Sequence, residues 1–129
     1  MNSATLTGAG VLALLVSGTT VAHADTPPHS HGVPTTLSQW ADGAQLFGGL
    51  GNFYRAVTTS SDQAQAYFDQ GMRLLWAFNH DEASRSFARA TQLDPNCAMC
   101  FWGVALTVGP NYNLPMMAEP RAKVAWEAL

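Results

Sequence analysis

The chain has 129 residues, with nine acidic and six basic side chains, a formal net charge of -3 and 47% apolar composition. Charged residues make up 12%, about half the roughly 25% of an average soluble domain, and none of them lies in residues 1–24. The mild negative charge excludes an electrostatic nucleic-acid binder, no run reaches the roughly 18–20 apolar residues of a membrane span, and the length allows one domain at most.

Residues 6–16 form an apolar stretch interrupted only by small residues, and Ala22-His23-Ala24 fits a cleavage site before Asp25. Ahead of the apolar core only the terminal amine supplies positive charge. Gly8, Gly10, Gly18 and the Thr19-Thr20 pair make a poor helix interior. Residues 1–24 therefore read as a signal peptide and the protein as periplasmic or secreted, where thiols meet an oxidising environment. Residues 25–36 have the composition of a flexible linker. His29 and His31 in it read as solvated, with weak copper or zinc capture as the alternative. Pro27 stands third after the cleavage, where an amino-terminal copper site needs His. Residues 37–59 carry Trp40, Leu46, Phe47, Leu50, Phe53 and Tyr54 among several glycines. That is too aromatic for a linker and too glycine-rich for a stable helix. An irregular segment laying its aromatics on the following helices is expected.

From residue 60 the pattern becomes helical, and an all-α fold follows. Ser60 and Gln63 make an S-x-x-Q capping box. Tyr67, Gly71, Leu74, Leu75 and Phe78 recur along one stripe, with Phe68, Met72 and Trp76 beside them, so this helix needs cover on more than one side. Asn79 and His80 break it, and Asp81-Glu82 place negative charge at the start of a second helix, where the dipole favours it. Ala83, Phe87, Ala90 and Leu93 then share a face while Arg85 and Arg89 point to water. Asp94-Pro95 supply an N-cap and an N1 proline for a third helix. Gly109-Pro110 end that helix early, and a loop through Pro115 precedes another helix at Pro120.

The spacing Ala83-x3-Phe87-x2-Ala90-x4-Pro95 resembles the second half of a tetratricopeptide (TPR) repeat, whose period is about 34 residues. In that register Tyr67 takes the large aromatic position and Gly71 the small one, and Phe101 and Ala105 repeat the pair one period later. Gln70 departs from the usual leucine, and Phe78 from the usual glycine of the inter-helix turn. Phe78-Asn79-His80-Asp81-Glu82-Ala83, Cys97-Ala98-Met99-Cys100, Trp102-Gly103 and Gly109-Pro110-Asn111 also resemble a group of exported bacterial TPR proteins several times longer. The resemblance implies a helix-turn-helix α-solenoid over residues 60–129, one repeat complete and a second partial and interrupted. It also implies a non-catalytic scaffold for a protein or peptide partner. Repeat stacks need about three units or more, so the 129 residues read as the front of a longer protein.

Cys97 and Cys100 are the most pointed chemical feature. Three apart on one helix face, they stand within disulfide range, and a helix start lowers thiol pKa. A disulfide, two buried or reactive thiols, and metal ligation all remain open. In the last, Met116 and Met117 would join the Cys97 and Cys100 thiolates around copper, or His80 would be a third ligand to zinc with no obvious fourth. This defines the rival to the scaffold, a metal-binding or thiol-redox module. Phe101 stands where a c-type haem needs His, and no strand pattern supports a thioredoxin-like site. His80 is expected to pack with one ring nitrogen hydrogen-bonded, Trp76 and Trp102 to lie in the core or between repeats, and Asp69 to belong to a solvated face. No catalytic constellation stands out, and neither an enzyme nor a cofactor is expected.

Overall fold

The computed structural model describes residues 32–129; the leader and the His29/His31 pair lie outside the described residues. Those residues form five helices and no strand: α1 (Leu37–Ala41), α2 (Asp62–Trp76), α3 (His80–Leu93), α4 (Ala98–Val108) and α5 (Glu119–Glu127). They are all-helical, as the periodicity requires.

The helix boundaries follow their caps, and two of these differ from the expected ones. The cap of α2 is Ser61, whose Oγ accepts the Ala64 N–H at 3.1 Å. Ser60 is displaced because Thr59 Oγ1, itself donating to Asp94 Oδ2, accepts the Ser61 N–H at 3.1 Å and sets that residue at the helix mouth. Residue 64 is alanine, so no reciprocal box forms. Asp94 likewise does not open α4. It closes α3, and its Oδ1 accepts the Asn96 N–H at 2.9 Å. Pro95 therefore sits in a turn, and α4 starts at Ala98 with Cys97 as N-cap.

Between α2 and α3 the chain makes a Schellman turn. Phe78 N–H donates to Leu75 O and Asn79 N–H to Leu74 O, at 3.0 and 2.9 Å. The turn needs a left-handed residue, and Phe78 supplies it at φ 61°. A side chain there costs about 1–2 kcal/mol, and Phe78 gains little by burial, being 64% exposed. Asn79 then caps α3 by accepting the Glu82 N–H at 3.3 Å.

α3 packs against α1, α2 and α4; α2 meets α4, and α5 lies on α4. The core is built around Phe68 and Phe87, whose rings lie 5.5 Å apart and tilted, with Val104, Val108 and Val124. Each such side chain contributes roughly 1.5–3 kcal/mol by leaving water. The α3–α4 contact also buries two hydroxyls. Ser84 donates to Thr107 Oγ1, and Thr107 donates on to the Gly103 carbonyl, each at 2.8 Å. The pair is thus satisfied without water.

The segment 37–59 is more ordered than its composition suggests. It opens with α1, capped by Thr36 Oγ1, and buries Trp40. The rest runs along α2, fastened by polar side chains. Gln70 accepts the Phe47 N–H at 2.7 Å and donates to Gln45 O at 2.8 Å and Ser86 Oγ at 3.0 Å. Asp69 accepts the Arg55 N–H, Gln65 accepts the Val57 N–H, and Arg73 donates to Phe53 O. Asp69 is therefore buried, against the solvated position expected for it. Leu46, Phe47, Phe53 and Tyr54 stay exposed, while Leu50 and Val57 pack against the core; the strap is fastened by these apolar contacts together with the hydrogen bonds.

Candidate functional site

The positions that carry the repeat pattern cluster around one ring. Ala83, Phe87 and Ala90 are fully buried on α3. A β-carbon at Gly71 would stand 2.7 Å from the Phe87 ring, so glycine is what lets α2 approach. Tyr67 is half-buried, its hydroxyl donating to Ala44 O at 3.3 Å. Gly103 of α4 also approaches the Phe87 ring, and a β-carbon there would stand 2.4 Å from it. Phe101 and Ala105, the pair the period selects, are only half-buried.

Cys97 and Cys100 are joined in a disulfide with Cα atoms 5.3 Å apart, and neither residue is exposed. The sulfur that could have capped α4 is engaged in this bond, and Cys97 makes no side-chain cap. Among the described residues no group of three His, Cys, Asp or Glu side chains is placed to hold a metal ion. His80 is the first residue of α3. Its Nδ1 lies 3.1 Å from Phe78 O; since a carbonyl only accepts, Nδ1 is the donor of that bond.

Two surface features remain. The first is apolar. Trp76 extends the Phe68–Met72 stripe of α2 by one turn and is 69% exposed, while Trp102 and Leu106, one turn apart on α4, are about 40% exposed. Of the two placements expected for these tryptophans, in the core or between repeats, neither residue takes the first. A helix face is buried only if another element covers it, and none among the described residues does so here.

The second is a cleft of about 280 Å³ at the N-terminus of α3. Phe78, His80 and Asp81 line one side, Asn111, Asn113 and Leu114 of the α4–α5 loop line the other, and Arg121 of α5 also contributes. The loop is closed by Asn111 Oδ1, which accepts the Asn113 and Leu114 N–H groups at 2.9 and 3.0 Å. Arg121 is only 8% exposed. Its Nη2 donates to Asp81 Oδ1, its guanidinium carbon lies 5.3 Å from the Trp40 ring centroid, and its Nη1 is buried without a partner. Trp40 Nε1 is likewise buried and unpaired. The sequence reading passed over Arg121, although one signal was present. A cation in the first turn of a helix opposes the dipole, so Arg121, following Pro120 at the start of α5, had to be held there by something else.

No helix among the described residues is long and apolar enough to cross a membrane. Compared with protein-family models, curated proteins and solved structures, the chain matches none.

Proposed function

We propose that residues 60–129 are a TPR-type helical repeat, and that the protein is an exported, non-catalytic scaffold holding a protein or peptide partner. The observation that carries this reading is the exposure of Trp76 at the end of α2 and of Trp102 and Leu106 on α4. Exposed aromatic side chains of this kind are typical anchors of a protein interface. The packing of Gly71 against Phe87 supports the repeat itself, because the repeat pattern puts a small residue and a large ring at those two positions. The rival, a thiol-redox or copper- or zinc-binding module, needs sulfur that a reductant or metal reaches, and Cys97 and Cys100 are both fully buried.

Selection from a random peptide library against the protein, with a Trp76→Ser/Trp102→Ser variant as counter-selection, tests the scaffold. Enrichment of apolar peptides that bind the unaltered protein and not the variant is expected. Equal binding to both, or no enrichment, removes the reading.

A further inference from the structure

The guanidinium of Arg121 is held as a half-filled fork. A carboxylate that matches arginine engages two parallel N–H groups, yet Asp81 takes Nη2 alone and Nη1 is left buried with no acceptor. Buried donors are nearly always paired, so this one marks a place where a better partner belongs. The pair is also unequal, for the Asp81 side chain is 60% exposed while that of Arg121 is 10% exposed. Displacing Asp81 from Nη2 would free that donor for a ligand in the cleft that Arg121 lines.

The rest of the cleft suits a small anion. The N-terminus of α3 borders it, and the His80 and Asp81 N–H groups, in the first turn, have no acceptor among the described residues. Asn111 spends its side-chain oxygen on the loop, which leaves its amide N–H groups as donors. Against these stands one negative charge, that of Asp81, which disfavours a dianion more than a monoanion. Flat and singly charged describes a carboxylate better than a phosphate, and the cleft, of about 280 Å³, has room for a small one.

We propose that the cleft between the N-terminus of α3 and the α4–α5 loop binds a small carboxylic acid anion, with Arg121 as its anchor and Asp81 as the internal carboxylate that occupies the anchor when the ligand is absent. The site is separate from the apolar face of α2 and α4 and does not depend on it.

Nuclear magnetic resonance titration of the whole protein at constant ionic strength and pH 7, following the Trp40 indole and Arg121 side-chain N–H signals, tests the proposal. The probes are acetate, acetamide and inorganic phosphate. Saturable shifts with acetate, none with acetamide, and weaker shifts with phosphate are expected. Asp81→Asn removes both the competitor and the like charge, and is expected to tighten acetate binding by about tenfold. Arg121→Gln is expected to abolish it. An equal response to acetamide, tighter binding of phosphate, or unchanged acetate affinity in Asp81→Asn overturns the proposal. The Asp81→Asn comparison keeps the test decisive if Arg121→Gln does not fold, because that variant leaves the buried arginine and its stack on Trp40 in place.

Discussion

Gly71 and Phe87 are packed so closely that a β-carbon on the glycine would stand 2.7 Å from the ring. The ring has little room to yield, because Gly103 brings α4 so near that a β-carbon there would stand 2.4 Å from it, and Phe87 is fully buried. α2, α3 and α4 are therefore locked through one side chain. In an exposed helix Gly→Ala gains up to about 1 kcal/mol of helix propensity. Here overpacking, about 1–3 kcal/mol, outweighs that gain. Gly71→Ala and Gly103→Ala should each lower the melting temperature by several degrees, and Phe87→Leu should restore part of the loss in either background. A melting temperature that stays level or rises in the single variants would contradict the clamp.

How much of this was legible beforehand depended on range along the chain. The helices after residue 60, the Asn79 break and the small residue at Gly71 are written in local spacing, where periodicity is strong, whereas α1 and the ring that Gly71 meets are not. The caps were less readable, because Ser61 and Cys97 are set by a contact that ties Thr59 to Asp94 across 35 residues. Gln70 looked like a defect in a leucine position; only the folded chain brings Gln45, Phe47 and Ser86 to its two ends. Arg121 and Asp81 meet across 40 residues, and no local pattern announces such a pair. Gly103, which brings α4 onto the Phe87 ring, stood outside the positions that the repeat pattern selects.

Gln70 makes a separate prediction because its amide is fully used. Both N–H groups donate and the oxygen accepts, joining α2 to the strap and to Ser86 of α3. Gln70→Leu would restore an apolar residue at a buried position, and a packing argument alone would expect stabilisation. Losing three hydrogen bonds weighs against it, each worth about 0.5–1.5 kcal/mol net, with Ser86 left buried beside leucine. The expected outcome is a net loss of about 1–2 kcal/mol, with hydrogen exchange at the Phe47 amide about tenfold faster and earlier proteolysis near Arg55. Unchanged exchange at Phe47 would show that the strap is held by something other than Gln70.

Asp94 makes stability depend on pH in a direction its contacts fix. Its carboxylate accepts from Thr59 Oγ1, above all, and from the Asn96 N–H, and these bonds hold its pKa below the usual aspartate range despite the opposing effect of burial. The folded chain therefore binds the proton less readily than the unfolded chain, whose aspartates titrate near about 3.9. The stabilisation is complete above that value and fades as pH falls through the lowered pKa of the folded state. Melting temperature measured from pH 7 down to pH 2 should fall less steeply at the acid end in Asp94→Asn than in the unaltered protein. At pH 7 the same variant should be the less stable of the two, since a neutral amide accepts more weakly from Thr59 and Asn96 than a carboxylate does. Parallel curves for the two proteins below pH 4 would mean that the junction between the strap and the end of α3 is held without the charge on Asp94.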